Sequence, residues 1–420
     1  MNPVWLAGGI FLITYVLIVT ERVPRIVSGL LGGMAMILFG VLSQEEAFHA
    51  VDWNVIFLLV GMMVIASILR QTGLFQWIAI QAVKLGKGDP FRVLLILSVV
   101  VALTSALLDN VTIVVLAAPV ALFVAASLRV SPLPFLIAAI LASNIGGTAT
   151  LVGDPPNILI GSAAGIDFLT FAANLAPISL LILLGFLVLA RFLFRSDLHA
   201  REDGVTDLAA LEVDTLITDR TLLVKALVVM AGVVVGFLLH GALHLEPATI
   251  ALAGATILLL WGKSDPHEAL QDVEWTTLFF FIGLFITVQA VVSVGIIEAV
   301  AEAALRLTGG SLALTSMLLL WLSAFASGIV DNIPYTATMI PVVENLGRSL
   351  PIMPLWWSLA LGACLGGNIT LVGAAANVVV ANLAEKSGHP ISFRTFLGYG
   401  LATTLMSLVL ATGYVWLRYL

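Results

Sequence analysis

The feature that most constrains this sequence is a pair of charged breaks, about 220 residues apart, inside apolar segments. Asp109-Asn110 interrupts one segment and Asp331-Asn332 interrupts another, 222 positions later. A glycine-rich stretch at 146–153 is repeated at 366–373, 220 positions later. Because a charge in hydrocarbon is costly, charged positions in such segments indicate a functional site. Two symmetric breaks are typical of the binding site of a secondary transporter.

The composition indicates a membrane protein. Hydrophobic residues make up 60% of the 420 residues and charged residues only 10%, whereas soluble domains carry roughly 25% charged residues. Many apolar stretches of about 16 to 22 residues suit helices that cross a bilayer. The first, at about 4–19, lacks a basic leader and a small-residue cleavage site, so it is predicted to be a membrane helix. The single cysteine, Cys364, excludes an internal disulfide and a cysteine-cluster metal site.

The repeat predicts an all-α polytopic membrane protein with two inverted halves. The first repeat covers 1–195 and the second 221–420, joined by a cytoplasmic linker at 196–220. In each half, two short arms flank the Asp-Asn pair with no polar loop between them, which predicts a re-entrant hairpin. Broken helices are predicted at 133–163 and 355–385. If the hairpins do not cross, each half makes five crossings, about ten in all; if they do cross, each half makes seven. An odd number per half turns the second half upside down.

The distribution of Lys and Arg supports this topology. Fifteen of the 18 basic residues fall on one predicted side, and only Arg306, Arg348 and Arg418 fall on the other. The positive-inside rule makes the rich side cytoplasmic. Both termini are then outside, and the chain is predicted to lie in the inner membrane of a prokaryote.

The Asp-Asn pairs allow two interpretations. Asp109 and Asp331 could cap the second arm of each hairpin. They could also carry a proton, bind a cation or accept hydrogen bonds from a hydroxylated substrate. Asn110 and Asn332 carry both donor and acceptor groups, so they either contact substrate or tie the tip together.

The glycine-rich breaks form a second group of candidates. Their glycines disfavour a continuing helix, and Pro155-Pro156 enforces the interruption in the first half. Freed carbonyls and threonine hydroxyls could then bind an ion or substrate. Asp154 is replaced by Ala374 in the second half, and it is either an N-cap or a coupling proton site. Cys364 stands where Asn144 stands in the first half. It is either a small apolar residue or a contact for a thiophilic substrate.

These candidates define a predicted site with three roles. Substrate binding is predicted for Asp109, Asn110, Asn144, Gly146, Gly147, Thr148, Asp331, Asn332, Cys364, Gly366, Gly367, Asn368 and Thr370. Proton coupling is predicted for Asp109, Asp154 and Asp331. Support of the helix breaks is predicted for Thr150, Asn157 and Asn377. No catalytic residue, metal ligand or cofactor is predicted, and the energy source is the proton motive force.

At these residues the sequence resembles the ion transporter superfamily. The motifs LLDNVTIVVLAAPV (107–120) and SNIGGTATLVGDPPNILIG (143–161) are similar to those of the group that holds ArsB-type arsenite permeases, the melanosomal P protein and NhaD-type sodium/proton antiporters. The resemblance is closest to an ArsB-like arsenical efflux permease. It implies a scaffold domain, a mobile transport domain with both hairpins and both broken helices, and a homodimer.

The hairpin tips guide the choice of substrate. The dicarboxylate carriers of the superfamily have Ser-Asn-Thr at these tips, whereas Asp109 and Asp331 would repel a dianion. No basic residue is expected within the membrane to bind an anion. The first hypothesis is therefore proton-coupled efflux of arsenite or antimonite, which are neutral polyhydroxyl molecules. The alternative is sodium/proton antiport, since carboxylates and carbonyls suit sodium.

Other classes of protein are weighed against these two. A carrier for an anion or another organic solute is a third hypothesis. A channel, or the membrane subunit of a complex with a cytoplasmic ATPase, belongs to a different class, and the repeat favours a carrier. The lipid bilayer is the expected environment, and no nucleic-acid partner is expected.

Overall fold

The computed structural model describes residues 2–198 and 217–420. Within these residues all regular structure is helical, and the twenty α-helices form two sets of ten in the same order. The first set is α1 (Pro3–Thr20), α2 (Arg25–Leu38), α3 (Gln44–His49), α4 (Trp53–Gln71), α5 (Leu74–Leu85), α6 (Pro90–Ser105), α7 (Asn110–Leu128), α8 (Leu133–Gly147), α9 (Pro155–Ala164) and α10 (Phe168–Phe194). Most of the linker predicted at 196–220 lies outside the described residues.

The second set repeats the first, helix by helix. It is α11 (Arg220–Leu243), α12 (Pro247–Gly262), α13 (Pro266–Gln271), α14 (Trp275–Ser293), α15 (Ile296–Thr308), α16 (Leu312–Val330), α17 (Asn332–Leu346), α18 (Ile352–Gly366), α19 (Ala375–Lys386) and α20 (Phe393–Tyr419). The starts of α4 and α14 are 222 positions apart, as are those of α5 and α15. The repeat seen in the sequence is therefore a repeat of structure.

The described chain has the helices that a membrane protein needs. Eight of the described helices are long and apolar enough to cross a bilayer, and six shorter ones are also apolar. Apolar side chains on α1, among them Leu12, Ile13 and Val16, are exposed, as expected for lipid contact. This confirms the predicted all-α membrane fold. The ten crossings and the inversion of the halves stay predictions.

Two short helices in each half were not predicted. They are α3 and α5 in the first half and α13 and α15 in the second. The sequence prediction followed apolar stretches of about 16 to 22 residues, whereas these helices have only 6 to 13 residues. Helix α3 has six residues and depends on a capping box between Ser43 and Glu46. Helix α15 is amphipathic, with Glu298 in its first turn and Arg306 in its last.

Helices of the two halves pack on each other in equivalent pairs, α2 on α14 and α12 on α4. Small residues allow the close approach. A Cβ on Gly283 would lie 2.3 Å from the carbonyl oxygen of Gly29, and a Cβ on Gly61 would lie 2.6 Å from the carbonyl carbon of Ala251. Such small-residue contacts are typical of helix packing in membranes. They fix α2 and α4 firmly against the opposite half.

The hairpins pack against the broken helices. The arm α6 lies on α8, and the equivalent arm α16 lies on α18. At these crossings a Cβ on Gly146 would lie 2.0 Å from the carbonyl oxygen of Ala102, and one on Gly366 would lie 2.3 Å from that of Ala324. The second arms reach across the repeat, α7 to α19 and α17 to α9. This places each hairpin beside the broken helix of the other half.

Candidate substrate site

The tip of the first hairpin is capped by Asp109. Its carboxylate accepts hydrogen bonds from the backbone N–H of Thr112 at 2.9 Å and from the Thr112 hydroxyl at 2.5 Å. The next residue, Asn110, donates from its backbone to the carbonyl of Gly153 at 3.1 Å. Its side-chain nitrogen donates to Asn144 at 3.0 Å. The first tip is thus joined to the first broken helix.

The tip of the second hairpin has a different set of partners. Asp331 accepts from the backbone N–H of Ile333 at 3.0 Å and forms an ion pair with Arg25. Its φ of 95° is a backbone conformation that residues other than glycine rarely adopt. Asn332 donates to both carboxylate oxygens of Asp154, at 3.2 and 3.3 Å. The second tip therefore reaches the broken helix of the first half.

Each break is held open by one asparagine. Asn157 donates from its side chain to the carbonyls of Gly147 at 3.1 Å and Thr150 at 2.9 Å. Asn377 donates to the equivalent carbonyls of Gly367 and Thr370 at 2.7 and 2.8 Å. These contacts satisfy backbone oxygens that the break leaves without helical partners.

Threonines of the breaks bind the hairpins or their own helix. The Thr150 hydroxyl donates to the carbonyl of Ala106 at 2.6 Å, and the Thr370 hydroxyl donates to that of Gly328 at 2.5 Å. The Thr148 hydroxyl donates within its helix to the carbonyl of Asn144. Two of these three hydroxyls therefore tie a hairpin to a break.

A network of side-chain amides joins the two halves. The side-chain nitrogen of Asn144 donates to Asn368 at 2.8 Å and to Asn377 at 3.0 Å. At the position equivalent to Asn144, the thiol of Cys364 donates to Asn157 at 3.2 Å. All these side chains are completely buried. The network places asparagines from both broken helices and the first hairpin around one point.

Asp154 is the residue that breaks the symmetry of this network. It stands at the N-cap position of α9, but its side chain makes no capping hydrogen bond. Its carboxylate is completely buried and accepts from Asn332. Asp331, Asp109 and the Cys364 thiol all lie close enough to interact with it. The capping interpretation of Asp154 is therefore wrong, because the carboxylate turns toward the second hairpin.

The structure brings most of the predicted site residues together, but in unequal roles. The asparagines, Asp154 and Cys364 form one buried polar cluster. Gly146 and Gly366 pack against the hairpin arms, and Gly147 and Gly367 offer the carbonyls that Asn157 and Asn377 bind. Asp109 and Asp331 each cap a helix, as one interpretation of the sequence proposed.

Two residues near the tips were missed by the sequence prediction. Arg25 begins α2, and its long side chain reaches Asp331, so a basic residue contacts the second tip although none was expected within the membrane. Glu274, the residue before α14, lies near Asp109. Burial raises the pKa of Glu274, and the charge of Asp109 acts in the same direction. Both residues stand at predicted membrane borders, so no local pattern connected them to the tips.

Two cavities lie beside this cluster. The Arg25 cavity has a volume of about 320 Å³ and reaches the second hairpin tip; its lining includes Glu21, Arg25, Thr277, Phe280, Asp331, Ile333 and Val378. The His240 cavity has a volume of about 430 Å³ and is lined by residues that include Val55, Leu58, Leu151, Ile158, Ser162, Asp167, His240 and Glu246. Several pairs of lining residues are related by the repeat, among them Val55 and Thr277, Leu58 and Phe280, and Ile158 and Val378. The cavities are thus equivalent regions of the two halves.

Comparison with known proteins identifies the family. The model of a family described as citrate transporter (CitMHS) matches residues 15–362. The chain belongs to the citrate transporter family. It is 45% identical over 419 residues to a 46 kDa membrane protein of Mycobacterium leprae, with 98% of each chain covered. It is equally similar to the uncharacterized transporter Rv2684 of Mycobacterium tuberculosis, with 98% of this chain and 97% of that one covered.

More distant relatives agree with this assignment. The chain is 34% identical to the mouse P protein over 487 residues, which covers 96% of this chain and 58% of that protein. Its fold is similar to that of the YdaH transporter of Alcanivorax borkumensis, with a TM-score of 0.57 at 15% identity and 99% or more of both chains covered. The protein is an integral membrane transporter of the ion transporter type. The closer resemblance to ArsB-type permeases stays a prediction.

Proposed function

We propose that this protein is a secondary transporter that exports arsenite or antimonite from the cytoplasm in exchange for protons, by alternating access. The observation that carries the proposal is Asp154, a completely buried carboxylate within a network of amides, at the point where two broken helices meet. None of the ion pairs among the described residues involves it. A buried carboxylate without a cationic partner has an energetic reason to bind a proton or a cation.

The amide network suits a small molecule with several hydroxyls. Each amide side chain offers both donors and acceptors, and a neutral hydroxyl can use either. The side-chain oxygen of Asn110 is buried and has no hydrogen-bond partner. Leaving such an acceptor unpaired is unfavourable, so it is an available position for a substrate hydroxyl. Arsenous acid and antimonous acid are neutral and carry only hydroxyls.

Sodium/proton antiport is the second candidate, and a specific observation favours it. The carboxylate of Asp154, the oxygen of Asn110 and the carbonyls of the breaks are hard oxygen ligands, as a sodium ion requires. In this case proton and sodium compete for Asp154. The same residues then act, but the transported species is a cation.

The family description raises citrate as a third substrate, and the charges of the site disfavour it. Arg25 at the second tip is paired with both Glu21 and Asp331, and Arg70, which lines a small cavity with Val111 and Thr112 at the first tip, is paired with Asp272. A polyanion would therefore meet Asp109, Asp154 and Asp331 without a free positive charge. Like charges that meet in a medium of low dielectric constant repel each other strongly.

The substrate is tested with purified protein in liposomes that carry a pH gradient. Arsenite, antimonite, sodium and citrate are supplied in parallel, and proton movement is followed with a pH-sensitive dye. We expect uptake of arsenite and antimonite that depends on the gradient and is coupled to proton movement. Sodium-dependent proton movement without metalloid transport would establish the second candidate instead. Transport of citrate alone would overturn both.

A further inference from the structure

An ion pair ties the second hairpin to the start of α2. A side-chain nitrogen of Arg25 lies 2.5 Å from a carboxylate oxygen of Asp331, and the same guanidinium contacts Glu21. The Arg25 side chain is 21% exposed and that of Asp331 only 2%. The pair therefore joins a helix border to the buried tip of a hairpin 306 positions away in the chain.

Among the described residues, the pair exists in one half only. Arg25 is the first residue of α2, and the first residue of the equivalent helix α12 is Pro247. Asp109, the equivalent of Asp331, is bound by Thr112 rather than by a cation. The tips also differ in backbone conformation, with a φ of −59° at Asp109 and 95° at Asp331. An ion pair therefore attaches the second hairpin to a neighbouring helix, and none of the ion pairs in the described part of the chain involves Asp109 of the first hairpin.

The two ends of the pair belong to regions of different rigidity. Helix α2 is packed on α14 through Gly29 and Gly283, where added side-chain atoms would collide with backbone. Asp331 has a φ of 95°, and such a conformation persists only where its surroundings hold it. Arg25 is one of the contacts that hold it. A change at the pair is therefore expected to move the tip rather than α2.

The two cavities indicate the conformational state in which the Arg25–Asp331 pair is formed. The Arg25 cavity extends to Asp331 and Ile333 at the second tip. The equivalent His240 cavity ends at residues such as Leu151 and Ile158, and its lining includes no residue of the 109–111 tip. One of two repeat-related routes thus reaches a hairpin tip in this structure, and Arg25 lines that route.

We propose that Arg25 is a positioning residue whose pair with Asp331 latches the transporter in the state with the Arg25 cavity open. The pair must separate for the hairpin to move and for the His240 cavity to gain access to the site. This latch rests on the proposed transport by alternating access, but it does not depend on which substrate is carried. By the positive-inside assignment, the latched cavity is the cytoplasmic one.

The latch is tested by the accessibility of single cysteines. Cys364 is completely buried, so the background with a bulky, water-soluble maleimide is low. Thr277→Cys reports on the Arg25 cavity and Ser162→Cys on the His240 cavity. In substrate-free protein in nanodiscs, we expect Arg25→Gln to slow labelling at position 277 and speed labelling at position 162, each by about threefold or more.

Two variants complete the test. Arg22→Gln removes an exposed arginine three positions away and is expected to leave both rates unchanged. The double variant Arg25→Gln, Asp331→Asn removes the pair without leaving an unpaired buried carboxylate, and it should show the same shift as Arg25→Gln. Rates within twofold of the parent in the double variant would overturn the latch. Because no substrate is present, this outcome is separate from failure of arsenite or sodium transport.

Discussion

At the scale of single residues, Asp154 distinguishes the two halves. Its equivalent is Ala374, so a nearly symmetric scaffold holds one asymmetric carboxylate. The carboxylate is bound by Asn332 from the opposite half. A change in the charge of Asp154 therefore alters the hydrogen bonds of Asn332 at the second hairpin tip. This arrangement can couple binding of a proton to movement of the hairpin.

We expect Asp154→Asn to abolish proton-coupled transport while leaving the fold intact. Asparagine has the same shape and can still accept one hydrogen bond from Asn332, but it cannot take up a proton. Transport in liposomes should fall by at least about tenfold, which corresponds to about 1.4 kcal/mol. Asp265→Asn, at an exposed helix cap, is the matched control. Full coupling in Asp154→Asn would remove this residue from the mechanism.

Asp109 combines a cap with a charge, and two substitutions separate these roles. Asparagine caps helices about as well as aspartate, whereas alanine costs about 1 kcal/mol. We expect Asp109→Ala to lower the thermal stability of the purified protein and Asp109→Asn to preserve it. If Asp109→Asn also retains full transport, the carboxylate is only a cap. If it loses transport at normal stability, the charge itself takes part.

At the scale of helices, glycines decide how closely the hairpins approach the broken helices. A Cβ on Gly146 would lie 2.0 Å from a backbone oxygen, which no side-chain movement can relieve. We expect Gly146→Ala to destabilise the protein by about 3 kcal/mol, measured as a lower melting temperature in detergent. Gly413→Ala, at a helical glycine with open space around it, is the control and should be neutral or slightly stabilising.

Asp167, at the start of α10, is expected to make the stability of the protein depend on pH. Burial opposes the charge of Asp167, but hydrogen bonds from the Thr170 hydroxyl and backbone N–H outweigh it and lower the pKa of Asp167 below its usual 3.8. A lowered pKa in the folded state stabilises the protein above the unfolded pKa, and this contribution is lost as the pH falls. Asp167→Asn should therefore melt earlier than the wild type at pH 7. The difference should disappear in strong acid, and a difference that is independent of pH would contradict this account.

At the scale of the whole molecule, the repeated helix order and the equivalent packing of α2 on α14 and α12 on α4 describe a molecule with approximate twofold symmetry. The asymmetric features, Asp154 and the Arg25–Asp331 pair, both act on the second hairpin. We infer that binding of the proton moves the second hairpin, while the first hairpin moves less. In the alternating-access mechanism proposed above, the paired cavities are the two access routes.

The inversion of the halves is tested at one pair of equivalent positions. Lys84 in α5 and Arg306 in α15 are 222 positions apart, and both are exposed. Inverted halves place them on opposite sides of the membrane. We expect Lys84→Cys to react with an impermeant maleimide only in everted vesicles, and Arg306→Cys only in intact spheroplasts. Reaction of both from the same side would show that the halves are parallel.

Much of the architecture could be predicted from the sequence because the bilayer imposes strict rules on composition. Long apolar stretches must become helices, since backbone groups in hydrocarbon must pair within their own segment. Charged pairs, glycines and prolines mark where those helices stop. The repeat offset then assigns equivalent roles to Asp109 and Asp331, and to Asn157 and Asn377. Short helices such as α3 could not be predicted, because six residues are too few to show a periodic pattern of apolar residues.

Only the tertiary structure decided which of these groups meet. The sequence alone determined an all-helical membrane protein with two repeated halves and buried polar breaks, because hydropathy and spacing are properties of the chain itself. Whether Asp154 caps its own helix or binds Asn332, and whether Arg25 stays at a membrane border or reaches Asp331, depends on how distant helices pack. Those contacts join residues 178 and 306 positions apart, and no local pattern encodes them.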